Sequence, residues 1–251
     1  MAPEFAGKTA LVTGASQGIG LAIAQTLSAQ GCRVALNGRN VDRLNAAVVA
    51  LPGAIAVAGD VSDPAQAKKV VNDALATLGR LDVLVCNVGS GRSVAPGMES
   101  FDEWIRVFAV NLWSATNSVE AARHALAQSK GVVVCISSIC GLEVVPGAPV
   151  TYSAAKAALH AYVRGMARPL GSEGVRINAV APGNILFDSS VWARRLADDP
   201  QAVQTMLARD VPLRRLGTSE EVADLVAFLA SSRAAFATGG VWKLDGGQTH
   251  D

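Results

Sequence analysis

The stretch Thr13-Gly-Ala-Ser-Gln-Gly-Ile-Gly20 constrains the fold of this chain more than any other. It follows the apolar run Ala10-Leu-Val and precedes apolar residues at Leu21, Ile23, Ala24 and Leu27, a helical spacing. The order is therefore strand, glycine turn, helix. Gly14 permits the tight turn, Gly18 lets backbone N–H groups approach a pyrophosphate, and Gly20 lets the helix lie close on the strand. Ser16, Gln17 and Ile19 lie in the same turn and join the expected contacts. Any strand-to-helix turn can need glycine, so this segment alone leaves the ligand open.

The rest of the chain repeats the alternation. Strands are expected near Thr9–Val12, Arg33–Leu36, Ala54–Ala58, Val83–Cys86, Val132–Ser137, Arg176–Val180 and Val241–Leu244. The clearest helices fall at Gly18–Gln30, Pro64–Leu78, Phe101–Gln128, Thr151–Ser172 and Ser219–Ala230. Such alternation predicts an α/β fold, a doubly wound parallel sheet of about seven strands flanked by helices, with ligands at the carboxyl ends of the strands. Pro169 is expected to end or kink its helix, several turns beyond Lys156.

With 251 residues, half of them apolar and 17% charged, the chain reads as a single domain over 1–251 with a large core. A net charge of +1 gives no reason to propose nucleic acid or an anionic membrane surface. No apolar run reaches membrane-spanning length, and no signal-like segment precedes the first strand. Cys32, Cys86, Cys135 and Cys140 lack metal-like pairing, and His124, His160 and His250 show no ligand spacing, so no metal is expected. Reduced core thiols point to a cytoplasmic protein.

Chemistry is concentrated in Tyr152-Ser-Ala-Ala-Lys156, with Ser138 a short loop upstream. Positions i and i+4 share a helix face, so the Lys156 ammonium can lie beneath the Tyr152 ring. A unit charge about 5 Å away in an effective dielectric of about 20 is worth roughly 3 kcal/mol, enough to bring a phenol from about 10 toward about 8. An acid, a cation and a hydroxyl around one oxygen suit carbonyl/alcohol redox chemistry.

Together, the glycine spacing and the distant Tyr/Lys pair resemble the short-chain dehydrogenase/reductase family, and the resemblance extends from Lys8 to Gly247. It implies a Rossmann-type fold and hydride transfer between nicotinamide C4 and the substrate carbon. Tyr152 would protonate the oxygen in reduction and Ser138 would position it. Lys156 would lower the tyrosine pKa and hold the nicotinamide ribose, and Asn111 would connect the lysine to solvent. The resemblance further assigns Asp60 and Val61 to the adenine, Asn87 and Gly89 to the cofactor edge after the fourth strand, and Pro182, Gly183 and Ile185 to the carboxamide. Two departures stand out: Cys86 replaces an asparagine that braces the sheet, and Phe187 replaces a carboxamide-binding threonine. Phe187 to Pro212 reads as part of a helical substrate lid, about 184–212, in which Trp192 either lines the pocket or packs within the lid. Arg194 and Arg195 read as a solvated face.

At the end of the second strand, Asn37-Gly38-Arg39 offers no carboxylate for the ribose hydroxyls of NAD(H), while Arg39 suits a 2′-phosphate. NADP(H) is the expected cofactor, with Asn37 and Arg39 among its contacts. Within the family the chain is most similar to the 3-oxoacyl-acyl-carrier-protein reductase-like branch. Ser129 and Glu173 stand where carrier-docking basic residues are expected, which favours a coenzyme A thioester or free ketone over a carrier protein. A sugar, polyol or other secondary-alcohol dehydrogenase is the enzymatic alternative. A non-catalytic dinucleotide sensor is disfavoured by the presence of Asn111, Ser138, Tyr152 and Lys156. The resemblance also implies a homotetramer, packed through the Phe101–Gln128 and Thr151–Ser172 helices and the segment Gly239–Gly247. The stripe Ala154, Ala157, Ala158, Ala161 and Tyr162 fits that packing or an internal core.

Overall fold

The computed structural model of the chain describes residues 3–250; Met1, Ala2 and Asp251, at the ends of the expected domain, lie outside them. Strands β1 (Thr9–Val12), β2 (Arg33–Gly38), β3 (Ile55–Ala58), β4 (Val83–Cys86), β5 (Val132–Ile136) and β6 (Arg176–Pro182) belong to one sheet. Strands β7 (Ile185–Leu186) and β8 (Gly217–Thr218) pair outside it, and β9 (Val241–Leu244) closes its edge. The order is β3-β2-β1-β4-β5-β6-β9, with every pairing parallel. Parallel strands covered on both faces are apolar throughout. Accordingly β1, β4 and β5 are buried at every residue.

Alternate side chains along each strand serve two cores. Ala10 and Val12 join Ile23 and Leu27 of α1 (Gly18–Ala29), Leu44 of α2 (Val41–Val49), and Val222 and Val226 from Ser219–Ala230. Leu11 and Leu84 face the other side, where α3 (Pro64–Leu78) brings Val70 and Ala74. The same side is covered by a helical run beginning with α4 (Phe101–Phe108) and continuing as α5 (Ser114–Ser129), and by α6 (Val150–Ser172). Helices α7 (Val191–Asp198) and α8 (Pro200–Asp210) precede α9 (Ser219–Ala230) and gather a small cluster of their own around Val203, Leu207 and Val211.

The seven expected strands are present, three with the expected bounds and four with an end displaced by one or two residues. Three local expectations need correction. The Phe101–Gln128 helix is interrupted by a π-helical turn over Ala109–Trp113. Helix α2 was not among the expected elements; Asn40 caps it by accepting from the Arg43 N–H. Helix α6 continues through Pro169 to Ser172. Pro169 lies in the last turn, where one missing ladder bond is cheapest, and the fully buried Leu170 anchors that turn to the core.

Because β1 connects to β2 on one side while β4 lies on its other side, the strand order reverses between β1 and β4. That reversal opens a crevice at the carboxyl ends of the strands. Among the described residues, no helix is long and apolar enough to cross a membrane. The four cysteines are free, and Cys32, Cys86 and Cys135 are buried.

Candidate active site

The glycine turn lies at the reversal point, and its shape depends on β4. Gly14 and Gly18 have φ of +62° and +56°, conformations costly for other residues. Asn87, at the end of β4, donates from Nδ2 to the carbonyls of Thr13 and Gly14, both at 3.0 Å. Its own N–H donates to Thr13 Oγ1 at 3.0 Å, so one asparagine ties the turn to the neighbouring strand. Gln17 precedes α1 without a side-chain cap, and the first turn carries no acidic residue. The first N–H groups of α1 are thus donors without side-chain partners at the positive end of a helix dipole, an arrangement that fits a pyrophosphate. Ser16 lies against Gly38 at the end of β2, Ile19 packs on the core, and the Phe187 ring rests on Gly18, 2.8 Å from where a Cβ would stand.

At the far side of the crevice, Arg39 Nη1 donates to Asp60 Oδ2 at 3.0 Å. The other Asp60 oxygen accepts from the Ser62 N–H at 3.0 Å and hydroxyl at 2.7 Å. Burial opposes the Asp60 charge, but the Ser62 and Arg39 contacts hold its pKa below the usual carboxylate value. Asn37 is buried, with its amide donating to the carbonyls of Val57 at 3.0 Å and Gly59 at 3.1 Å. It braces β2 against β3, so its amide nitrogen is already engaged. Val61 is also buried, its carbonyl accepting from Asn117 at 3.3 Å. Arg43, which sequence reasoning missed, donates to Gln17 at 3.4 Å and adds a second guanidinium beside the turn. The signal for it was Asn40, a helix cap that places Arg43 in the first turn of α2.

Ser138 lies two residues beyond β5, and its Oγ accepts from the Cys140 N–H at 3.2 Å, capping the short 3-10 turn Ile139–Gly141. Lys156 is 2% exposed; its Nζ donates to the Ile136 carbonyl at 3.0 Å and stands 5.8 Å from the Tyr152 ring centroid. Gly89 fits between Lys156 and Asn111, since a Cβ there would lie 3.1 Å from both Lys156 Nζ and Asn111 Oδ1. Asn111 is buried in the π-helical turn; it accepts from the Ser90 N–H at 2.9 Å and donates to the carbonyls of Ser90 and Val107, each at 3.0 Å.

Charge states depart from the expected pattern. Burial pushes the Tyr152 phenol up to about 12, the hydrogen bond with Ser138 pulls it down, and Cys140 pushes it up further. Burial also brings Lys156 down to about 8. The anticipated fall of the phenol is absent because loss of water around both groups outweighs attraction at this separation. Lys156 binds its proton more weakly in the folded chain than in the unfolded one. Below about pH 8 both states hold the proton and folding bears the full cost, which shrinks as pH rises toward 10.5. That cost is about 3 kcal/mol, partly offset by the bond to Ile136. Lys156→Met is therefore expected to raise stability by up to about 2 kcal/mol at pH 7 while abolishing turnover. Urea denaturation at pH 7 and 10 checks this, the gain being smaller at pH 10.

The remaining walls are loops held by polar contacts. Pro182 ends β6, the Gly183 N–H donates to the Leu244 carbonyl at 2.9 Å, and Ile185 is buried in β7. Trp192 packs on the α8 cluster, with the Arg195 guanidinium 4.9 Å from its ring. Ser93 Oγ donates to Glu103 at 2.7 Å and shares a 2.6 Å hydrogen bond with Thr151, next to Tyr152. Glu143, after the 3-10 turn, accepts from the His250 N–H at 2.5 Å and so meets the end of the chain.

A parallel doubly wound sheet with a glycine-turned crevice and a Ser/Tyr/Lys cluster defines a dinucleotide-dependent oxidoreductase architecture. A family model described as enoyl-(acyl carrier protein) reductase matches residues 14–249. Glucose 1-dehydrogenase of Gluconobacter oxydans (strain 621H) is 37% identical over 255 residues, 98% of this chain and 93% of that protein. The 3-oxoacyl-(acyl-carrier-protein) reductase FabG of Escherichia coli (strain K12) is 37% identical over 248 residues, covering 97% and 98%. The structure of L-sorbose reductase from Gluconobacter frateurii, complexed with NADPH and L-sorbose, superposes with a TM-score of 0.91 at 28% identity, over 99% of this chain and 98% of that one. The chain belongs to the short-chain dehydrogenase/reductase family, oxidoreductases that act on alcohol and carbonyl groups with nicotinamide cofactors.

Proposed function

We propose that this protein reduces a ketone or 3-oxoacyl-type carbonyl to a secondary alcohol with NADP(H). The observation that carries the reading is the convergence of Ser138, Tyr152 and Lys156 beside the crevice. When bound, the dinucleotide supplies the hydride from its nicotinamide ring. With its pKa near 12, Tyr152 is a neutral phenol at pH 7 and donates its proton to the carbonyl oxygen. Ser138 holds that oxygen by a hydrogen bond, and the Lys156 ammonium steadies the phenolate that remains. Asn111 fixes the Ser90 backbone beside the lysine and lines its route to solvent. The turn from Gly14 to Gly20, with Ser16, Gln17, Gly18 and Ile19, takes the pyrophosphate. Asp60 and Val61 meet the adenine, Asn37 shapes the ribose edge, Asn87 and Gly89 border the nicotinamide ribose, and Pro182, Gly183 and Ile185 hold the carboxamide.

NADP(H) is favoured because Gly38 ends β2 without a carboxylate while Arg39 and Arg43 flank the position of a 2′-phosphate. A small carbonyl is favoured over a carrier protein because Glu173 pairs with Arg123, which neutralises a cation on that face. Lys130 also donates to the Glu173 carbonyl at 3.1 Å. The second reading, NADP-linked oxidation of a sugar or polyol, is supported by the similarity to glucose 1-dehydrogenase and L-sorbose reductase. Following nicotinamide absorbance with NADPH or NADH and a panel of acetoacetyl thioesters, simple ketones and keto sugars tests both. Thioester or ketone turnover with NADPH supports the first, turnover confined to keto sugars supports the second, and equal efficiency with NADH removes the NADP(H) assignment.

The same reading includes a homotetramer in the cytoplasm. Ala157, Ala161 and Val150 are exposed on α6, and Phe101 and Ile105 are exposed on α4, which packs against α6. Phe236 and Trp242 are exposed around β9. These apolar surfaces suit self-association, and the free buried thiols suit a reducing compartment. Light scattering at micromolar concentration is expected to give four times the chain mass; a monomer mass removes this part.

A further inference from the structure

We propose that His160 is a positioning residue of this active site, stapling Ser137 to Gly141 so that the intervening Ser138 hydroxyl is held against Tyr152. This rests on the reading of Ser138 and Tyr152 as the reacting pair. His160 lies one and two turns beyond Lys156 and Tyr152 on the same face of α6. It is 2% exposed and bonded at both ring nitrogens: Nε2 to Ser137 Oγ at 2.7 Å and Nδ1 to the Gly141 carbonyl at 3.2 Å.

The partners determine its protonation. A carbonyl only accepts, so Nδ1 carries the hydrogen and donates to Gly141; Nε2 is then bare and accepts the Ser137 hydroxyl. A doubly protonated ring would have to turn an N–H toward Ser137 and would disrupt that acceptor role. Burial, with added push from Arg164 and Lys156 and a counter-pull from the Gly141 carbonyl, brings the His160 pKa down to about 4. The imidazole is therefore neutral at physiological pH.

The two bonds bracket the segment that matters. Ser137 comes directly after β5, Gly141 ends the 3-10 turn, and Ser138 and Cys140 lie between. Gly141 sits against α6 so closely that a Cβ would fall 2.6 Å from the Lys156 carbonyl carbon and 2.8 Å from His160 Cε1. Ser138 thus has a rigid frame on both sides, anchored to the helix that carries Tyr152 and Lys156. Without the staple, the turn keeps the Cys140 N–H bond to Ser138 but loses a lateral anchor.

The variants that test this are Ser137→Ala and His160→Asn. Ser137→Ala removes the Nε2 contact, while His160→Asn keeps a donor within reach of Gly141. Alkylation of Cys140 by iodoacetamide, read by peptide mass mapping, needs no turnover. It is expected to speed up about 10-fold in both variants, with Cys32, Cys86 and Cys135 unchanged. In NADPH-dependent reduction of acetoacetyl-coenzyme A and the panel ketones, kcat is expected to fall about 10- to 100-fold with KM for NADPH unchanged. The double variant should lose no more than the worse single one. Unchanged Cys140 alkylation in folded variants would overturn the staple. Faster alkylation with wild-type kcat would overturn its positioning role. If the wild-type protein reduces nothing in the panel, the functional reading fails, while alkylation still decides whether the staple exists.

Discussion

Tyr152→Phe is expected to lower the reductase kcat about 100- to 10,000-fold while the Kd for NADPH stays within a factor of about three. The substitution removes one oxygen from a side chain whose ring packs at the active-site end of α6, so the fold has little to lose. What disappears is the hydroxyl that faces Ser138, the proton donor of the proposed reaction. The phenol's high pKa makes the result interpretable, because at pH 7 the wild-type group is fully protonated and ready to donate. Binding by tryptophan fluorescence or calorimetry and turnover by nicotinamide absorbance should therefore separate. Retention of wild-type kcat would remove Tyr152 from the chemistry.

Gly20→Ala is the second large effect, and it acts on binding and folding together. A Cβ at Gly20 would lie 2.4 Å from Asn87 Nδ2, 2.5 Å from the Gly14 carbonyl oxygen and 3.0 Å from the Ala15 Cα. Two of these neighbours are backbone of the turn itself, and the third is the amide that ties the turn to β4. None can yield without changing the shape offered to the pyrophosphate. We expect a loss of about 2–4 kcal/mol in stability and at least a 100-fold weaker Kd for NADPH. Denaturant titration and calorimetry measure the two parts. Wild-type affinity in the variant would show that the close approach of α1 to the turn is unimportant for binding.

The fold was legible where the hydrophobic pattern repeated over several residues. Strands such as Val132–Ile136 are buried on both faces, so their apolar runs stand out, and α3 begins at Pro64 after an Asp63 cap. Helix α2 was harder to see, since Leu44 and Ala47 are its buried residues, Val48 packs alongside them, and no extended stripe forms. The β7–β8 pair is too short for any periodicity. At the site, spacing and family resemblance pointed to Ser138, Tyr152 and Lys156 as neighbours, and the structure places Tyr152 beside both Ser138 and Lys156. Their charges were not legible, because burial of Tyr152 and Lys156 depends on residues distant in sequence. Asn37 illustrates the same limit: its position at the end of β2 suggested a ligand contact, whereas its amide nitrogen is taken by Val57 and Gly59. His160 lies next on the Tyr/Lys face, but its two partners, Ser137 and Gly141, stand well upstream in the chain on either side of Ser138.

The π-helical turn at Ala109–Trp113 sets the helix's own preference against the needs of the site. It accommodates one more residue than an α-helical turn would, in a hydrogen-bonding pattern helices rarely choose. Deleting one residue there would let the ladder close as ordinary α-helix with α4 and α5 keeping nearly their present relation, because the wider turn absorbs the extra residue. Asn111 would then swing away from Ser90, even as the isolated helix became more regular. A shortened protein of this kind, still folded but without its asparagine clamp, would show that regularity was given up at this turn for the sake of chemistry.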